Sequence, residues 1–244
     1  MSRWYIAAAA AGLAAAVALR RRRAHAAPQL AVSCDGGLGL PTLEEFSGGA
    51  EGSQRLPMLV VLHSRGATPA GASAFDKVLQ TPARVLSPRG PLSLGGGYAW
   101  FLDALGAKDQ EHLAAEIRQS GELLANFLRT AQSCRPTLGK PVVTGSSQGG
   151  AMALYLASWH PDLIAGAVSV NAWLPRQLWR SSMARTVVLN GDEDKSVDPR
   201  LTQEYVLEMQ RLGAPVSFEM HESGHGISQD LGRAWKDAVI EMMP

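Results

Sequence analysis

The stretch that decides the fold is residues 141–157, PVVTGSSQGGAMALYLA. It contains the pattern G-x-S-x-G, with Ser147 at the centre, Gly145 two residues before it and Gly149 two residues after it. An apolar run precedes the pattern and a helical segment follows it, which is the strand–turn–helix context of a nucleophile turn. Small residues on both sides of the serine let the strand and the helix pass closely. The stretch therefore predicts that Ser147 projects above a sheet, at the positive end of a helix dipole.

Short β-branched runs alternate with longer helical patterns on both sides of this motif. The predicted strands are 56–63, 83–86, 141–144, 165–170, 186–190 and 215–220. The predicted helices are 109–130, 151–159, 202–212 and 230–243. This alternation predicts an α/β fold with a mostly parallel sheet and helices on both faces. The gap 171–185 between two strands is too short for a mobile helical cover, so no lid domain is expected.

Composition excludes several classes of protein. The 244 residues are 46% hydrophobic and 18% charged, which rules out a disordered chain, a coiled coil and a polytopic membrane protein. A net charge of +1 argues against a nucleic-acid partner. Only two cysteines occur, Cys34 and Cys134, so a disulfide framework and a four-cysteine zinc site are excluded. One disulfide or two free thiols both remain open.

The N-terminus has the pattern of a leader. Residues 4–19 are an apolar run, shorter than the roughly 20 residues of a comfortable membrane span. Four arginines follow at 20–23, and 24–26 form a small-x-small cleavage pattern. A signal peptide, a membrane anchor, an organelle presequence and a disordered tail all remain open. We expect 1–27 to lie outside the fold, giving an exported or membrane-associated protein, and 28–244 to form the catalytic domain.

A nucleophilic serine needs a base, and in such folds the acid and then the histidine follow the serine along the chain. Three histidines follow Ser147. His160 ends the predicted nucleophile helix and fits a helix C-cap. His225 lies between two glycines on a loop, whereas His221 is close to the end of the preceding strand. We favour His225 as the base, with His221 as the alternative and no metal role for the pair.

The acid must come from the loop 191–199, GDEDKSVDP, which follows the predicted strand 186–190. Its role is to orient the imidazole and stabilise the charged form of the base. Asp194 is far enough past the strand to turn toward the histidine loop. Asp192 fits hydrogen bonding to amides of its own turn, and Asp198 fits a helix start. We favour Asp194, with Asp192 as the alternative.

An oxyanion hole needs two backbone donors. The loop 62–66, LHSRG, follows an early strand and occupies the place of the loop that lends one of them. The amides of Arg65 and Gln148 are the predicted donors, and His63 is expected to fix the loop. A substrate pocket is predicted from Trp100, Phe101, Trp173 and Leu174, with core packing as the alternative for these residues.

Seven segments in this order resemble the phospholipase/carboxylesterase branch of the α/β-hydrolases, which includes acyl-protein thioesterase-like enzymes. The resemblance covers roughly residue 56 to the C-terminus. The segments are 62–66 LHSRG, 87–91 SPRGP, 97–101 GYAWF, 145–150 GSSQGG, 172–175 AWLP, 191–194 GDED and 224–226 GHG. One departure is Asn171 and Ala172, where relatives often carry Ser-Gly, which alters the pocket rim.

The resemblance implies an α/β-hydrolase fold and a carboxylic ester hydrolase that needs no cofactor. It maps the triad onto Ser147, Asp194 and His225, and the oxyanion amides onto Arg65 and Gln148. The expected substrate is a small-molecule ester of short to medium acyl length, cleaved through an acyl-enzyme. The alternatives are an acyl-thioesterase, a lysophospholipase and a catalytically inactive binding module.

Overall fold

The computed structural model describes residues 37–72, 79–106 and 108–244. The predicted leader 1–27 and Cys34 lie outside these residues. Within them, no helix is long and apolar enough to cross a membrane. Cys134 is disulfide-bonded, and Cys34 is the only other cysteine of the sequence.

Strands and helices alternate along the described chain. The strands are β1 (Thr42–Ser47), β2 (Leu56–Leu62), β3 (Ala83–Pro88), β4 (Leu92–Leu94), β5 (Gly97–Ala99), β6 (Thr137–Ser146), β7 (Gly166–Val170), β8 (Thr186–Gly191) and β9 (Val216–His221). The helices are α1 (Pro69–Ala72), α2 (Gln110–Cys134), α3 (Gln148–Trp159), α4 (Pro199–Arg211) and α5 (Gln229–Met242), with a 3-10 turn at Arg176–Leu178.

Seven strands form one sheet in the order β1-β3-β2-β6-β7-β8-β9. All neighbours are parallel except β1, which pairs antiparallel with β3 at one edge. Strands β4 and β5 form a separate antiparallel hairpin. The predicted α/β class with a mostly parallel sheet is confirmed. Because the sheet is parallel, the loops that follow β6, β8 and β9 all emerge at the same edge.

The central strands are buried on both faces, as their continuous apolar runs predict. Along β2, Met58, Val60 and Leu62 face the larger apolar cluster, which also contains buried residues of α2, α3 and α4. The alternate residues Leu59 and Val61 face a smaller cluster with the apolar side of α5. The two faces of the sheet are therefore packed by different helices.

Several elements escaped the sequence prediction, among them the β4–β5 hairpin, β1 and the first turn of α3. Strand β1 reads TLEEFS, and its residues are mostly half-buried at the sheet edge, so no apolar run marks it. There Glu44 pairs with the buried guanidinium of Arg84 and with Arg135. Helix α3 starts at Gln148, three residues earlier than predicted. The prediction left out its first turn because that turn contains Gly149 and Gly150, and glycine has a low helix propensity.

Candidate active site

The turn between β6 and α3 holds Ser147 in a strained conformation. Its backbone has φ 55° and ψ −121°, and its N–H donates to the Val170 carbonyl at 2.9 Å. A Cβ at Gly145 would lie 2.6 Å from the Gly149 carbonyl carbon, and a Cβ at Gly149 would lie 2.1 Å from the Leu62 oxygen. Both positions therefore require glycine. Strain of this kind persists only where the surrounding structure enforces it, and it is typical of active sites.

Asp194 and His225 are in direct contact. Asp194 Oδ2 lies 2.8 Å from His225 Nδ1, and the Asp194 side chain is fully buried whereas that of His225 is 35% exposed. The other carboxylate oxygen, Oδ1, accepts from the amides of Ser196 and Val197 at 2.8 and 2.9 Å. These amides orient the carboxylate, so that it can hold the imidazole with a proton on Nδ1 and leave Nε2 free to accept one.

The acid loop and the base loop are joined by further hydrogen bonds. Asp192 Oδ1 accepts from the Ser223 amide at 3.1 Å, and the Glu193 amide donates to the Ser223 carbonyl at 3.0 Å. A Cβ at Gly191 would lie 2.3 Å from that same carbonyl oxygen. Asp192 was expected to bond amides of its own turn. It binds the neighbouring loop instead, because Asp194 takes the amides of the acid loop.

Asn171 is a residue whose part in this arrangement the sequence analysis missed. It is fully buried and has a left-handed backbone, with φ 50°. Its Nδ2 donates to the His225 carbonyl at 3.1 Å, and its Oδ1 accepts from the Gly191 amide at 2.8 Å. One amide group therefore links the end of β8 to the histidine loop. The only signal in the sequence is the departure from Ser-Gly, which predicts an altered pocket rim.

The other two histidines after the serine have different surroundings. His221 is the last residue of β9, and its Nδ1 lies 2.8 Å from Asp230 on α5. His160 is the C-cap residue of α3, as expected, and its Nε2 lies 2.9 Å from Glu122. Of the three histidines, only His225 contacts a carboxylate of the acid loop.

The two predicted oxyanion donors belong to two linked segments, since Ser64 Oγ in the loop 62–66 donates to the Ser146 carbonyl at 3.0 Å. Gln148 is the first residue of α3, so its amide has no acceptor one turn back. The Arg65 amide has no acceptor among the described residues. The Gln148 side chain is buried, where Oε1 accepts from the Trp100 amide at 3.1 Å and Nε2 donates to the Phe101 carbonyl at 2.7 Å.

His63 lies behind these donors and fixes the loop. The Gly90 amide donates to its Nε2 at 2.9 Å, so Nδ1 carries the proton and donates to the Ser64 carbonyl at 2.9 Å. Burial lowers the pKa of His63 below its usual value, against the hydrogen bond to Ser64. Its ring stacks on Trp100 with the centroids 5.0 Å apart. His63 is therefore a neutral, buried support.

A family model described as phospholipase/carboxylesterase matches residues 50–236, most of the chain. The chain belongs to the phospholipase/carboxylesterase family. The resemblance found in the sequence is confirmed. This family member is a carboxylic ester hydrolase with the α/β-hydrolase fold.

Solved structures agree on the fold of this family member. A carboxylesterase from Mesorhizobium loti is 20% identical, covers 84% of this chain and 96% of its own, and has a TM-score of 0.70. A Bacillus cereus carboxylesterase is 20% identical, with coverage of 82% and 94% and a TM-score of 0.66. Zea mays acyl-protein thioesterase 2 is 23% identical, with coverage of 83% and 98% and a TM-score of 0.64. At these identities the likeness shows the fold.

The four residues predicted to line a pocket are packed inside this α/β-hydrolase. Trp100, Phe101, Trp173 and Leu174 belong to the larger apolar cluster, and the most exposed of them reaches 4%. Core packing therefore describes them better than a pocket. A cavity of about 760 Å³ adjoins His225 on the other face of the sheet, and none of the four lines it. Its walls come from the ends of β2 and β6, the loop 62–66 that is predicted to lend an oxyanion donor (the oxyanion loop), α1, the histidine loop and α5.

One group of described residues has the composition of a metal site. The potential ligand atoms of Asp103, His112 and Glu116 lie within 4.8 Å of one another. Both Glu116 oxygens already accept from backbone amides, those of Leu102 at 3.3 Å and Asp103 at 3.1 Å. In this family member Glu116 thus anchors the loop that also contacts Gln148.

Proposed function

We propose that the protein hydrolyses carboxylic esters of short to medium acyl length through a triad of Ser147, His225 and Asp194. The observation that carries the proposal is the 2.8 Å contact between Asp194 and His225. These residues follow β8 and β9, and the strained turn of Ser147 follows β6. All three therefore belong to one edge of a parallel sheet, where α/β enzymes build their active sites.

In the proposed mechanism, Ser147 Oγ attacks the ester carbonyl carbon while its proton passes to His225 Nε2. The carbonyl oxygen becomes an oxyanion that accepts hydrogen bonds from the amides of Arg65 and Gln148. The carbon–oxygen bond to the alcohol breaks, His225 returns the proton to the departing alkoxide, and an acyl-enzyme remains. Water then attacks the acyl carbon and gives a proton to His225; the bond to Ser147 Oγ breaks, His225 returns the proton to that oxygen, and the acid is released. Asp194 orients the imidazole and stabilises its charged form.

The absence of a closing step is part of the proposal. The segment 171–185, where a cover would be inserted, is attached to α3 at two points. Trp159 Nε1 donates to the Leu178 carbonyl at 2.8 Å, and the Ala184 amide donates to the Ala157 carbonyl at 2.9 Å. Rate should therefore rise smoothly with ester concentration through the solubility limit. A sharp increase at that limit, with little activity below it, would identify a lipase with a mobile cover.

Labelling with a fluorophosphonate probe tests the nucleophile. The wild-type protein should be labelled, and Ser147→Ala should not be. Ser146→Ala is the matched control, since it removes the neighbouring hydroxyl and leaves the Ser146 carbonyl that accepts from Ser64 Oγ at 3.0 Å. Equal labelling of Ser147→Ala and wild type would contradict the proposal, and no labelling of wild type would favour an inactive binding module.

Substrate profiling then separates the esterase from its alternatives. The same site presents its amides equally to an oxygen ester, a thioester and a lysophospholipid. We expect p-nitrophenyl acetate and butyrate to be cleaved. A preference for acyl thioesters of equal chain length would shift the assignment to a thioesterase.

A further inference from the structure

The cavity beside His225 has an apolar floor. Its described walls include Val61, Leu62, Ala67, Ile227 and Trp235. At about 760 Å³ it lies within the range of small-molecule pockets, about 300–1,000 Å³. Because it meets both the base and the oxyanion loop, a chain held there would be joined to the reacting carbonyl.

Glycines leave this cavity open. Gly71 and Gly226 line it, and a Cβ at Gly226 would meet no atom within 4 Å. A Cβ at Gly71 would meet only Thr68 Oγ1, at 3.8 Å. On α5, Gly232 faces the cavity, and a Cβ there would contact Ile227 at 3.4 Å. Larger side chains could be accommodated at these three glycines, and they would then fill part of the space that is now available to a ligand.

The charged residues of the cavity wall have one sign. Arg233 and Lys236 line it from one face of α5, and no aspartate or glutamate among the described residues lines it. Neither cation makes a hydrogen bond or an ion pair with a described residue, whereas Arg176 and Arg185 pair with glutamates. Asp237, one turn after Arg233, neither pairs with it nor lines the cavity.

We propose that this cavity binds the apolar chain of a substrate that also carries an anionic group, a carboxylate or a phosphate, held by Arg233 and Lys236. The inference rests on the proposed function, since it names the substrate class of that site. An anionic group would pair with two cations that have no partner among the described residues, and the apolar floor would bury the chain. Each methylene buried should strengthen binding about fourfold.

Binding of octyl phosphate, octanoate and octanol to the full chain, measured by calorimetry, tests the charge preference. Octyl phosphate or octanoate should bind at least about tenfold tighter than octanol, and the difference should shrink at high salt. In the double variant Arg233→Gln/Lys236→Gln the anions should bind no better than octanol. The control is Lys140→Gln/Arg211→Gln, which removes the same charge from exposed positions outside the cavity and should change nothing.

The variant Gly232→Leu tests whether the octyl probes bind in this cavity. The added side chain projects into the cavity from a helical position where leucine is favoured over glycine. All three octyl probes should bind at least about tenfold more weakly, while Gly232→Ala retains most of the affinity. Hydrolysis of p-nitrophenyl acetate should persist in the control variant Lys140→Gln/Arg211→Gln, which lies outside the cavity.

The outcomes separate this inference from the proposed function. Tight binding of either anion, lost in the cavity variants, supports the inference, and the stronger of the two tells phosphate from carboxylate substrates. Octanol binding as tightly as both anions in wild type, or an anion preference unchanged in Arg233→Gln/Lys236→Gln, overturns it. Loss of fluorophosphonate labelling and of acetate hydrolysis in wild type would instead contradict the proposed function.

Discussion

The two halves of the candidate site lie at one sheet edge but are held in different ways. The amide half comprises Arg65 and Gln148 with His63 behind them, and its support is buried, since Gln148 is 2% exposed. The acid–base half comprises Asp194 and His225, and the His225 side chain is 35% exposed. Its support is a set of hydrogen bonds between two loops.

The difference corresponds to the work each half would do. Donors to an oxyanion are effective when they are fixed before charge develops, which the anchoring of Gln148 in the core provides. A base has to exchange protons with substrate and water, which requires a side chain open to solvent. We therefore expect damage to the amide half to reduce both stability and rate, whereas a change in the acid–base half that keeps the buried packing of Asp194 should reduce rate far more than stability.

The largest effect is expected in the acid–base half. Asp194→Asn should lower kcat by about 10⁴-fold, because an amide in place of the carboxylate favours the wrong tautomer of His225. The unfolding midpoint in urea should hardly change. Steady-state hydrolysis of p-nitrophenyl acetate and urea unfolding are the measurements.

Matched variants test these assignments. Asp192→Asn keeps an oxygen that can accept from Ser223 and should retain most activity. His225→Ala should be inactive and His221→Ala active. A more severe loss in Asp192→Asn than in Asp194→Asn, or in His221→Ala than in His225→Ala, would move the role to the other residue.

The next effect concerns the amide half. Gln148→Ala leaves the Trp100 amide and the Phe101 carbonyl without their partner, which should cost about 1–3 kcal/mol of unfolding free energy. The backbone donor of residue 148 would lose its anchor, and kcat should fall by about 10²-fold. Arg65→Ala is the control, because among the described residues its guanidinium bonds only the Leu102 carbonyl, at 3.2 Å, and its amide is retained. Full stability and activity in Gln148→Ala would remove the contrast between the halves.

A smaller effect tests the link between the two loops. Asn171→Gly removes both hydrogen bonds of the side chain and accepts the left-handed backbone. We expect kcat to fall about tenfold with KM nearly unchanged, since the His225 loop would be less well oriented. The pH profile of kcat should keep its shape, because no charge is altered. A rise in KM with constant kcat would assign Asn171 to substrate contact.

The smallest effect is a pH dependence of stability from His63. Its pKa is lowered in the folded protein, so below about pH 6.5 the unfolded chain takes up the proton first. The contribution of His63 to the free energy of unfolding is therefore present above that pH. It is lost as pH falls, by no more than about 1.4 kcal/mol per pH unit. Urea unfolding between pH 8 and 5 should show a flatter acid slope for His63→Gln than for wild type. Equal slopes would mean that folding leaves the pKa of His63 unchanged.

The sequence was informative where one segment carries its own signal. The apolar runs of β2 and β8 and the glycines around Ser147 predicted the sheet and the turn. The position of Asp194, several residues past its predicted strand, also implied that its loop could turn toward the loop of His225. The triad itself stays a prediction.

Other features depend on contacts between distant segments. Asn171 acquires its role from two tertiary hydrogen bonds, which no local pattern encodes. From the sequence alone, Trp100 and Trp173 are equally compatible with lining a pocket and with packing in the core. The space beside His225 depends on how α5 lies against the sheet, and its glycines carry no signal of their own.

The pairing of β2 with β6 has a consequence for how the molecule folds. Leu62 lies opposite Gly145, so two strands distant along the chain must meet before the nucleophile turn can form. Bringing β2 and β6 together closes a long loop, and the chain loses this conformational entropy before the contacts between the strands can form. Folding is therefore slow. During refolding, helical signal should therefore return before esterase activity. Until then the apolar β2 stays unpaired and prone to aggregate, so recovery of active enzyme should fall as the protein concentration rises.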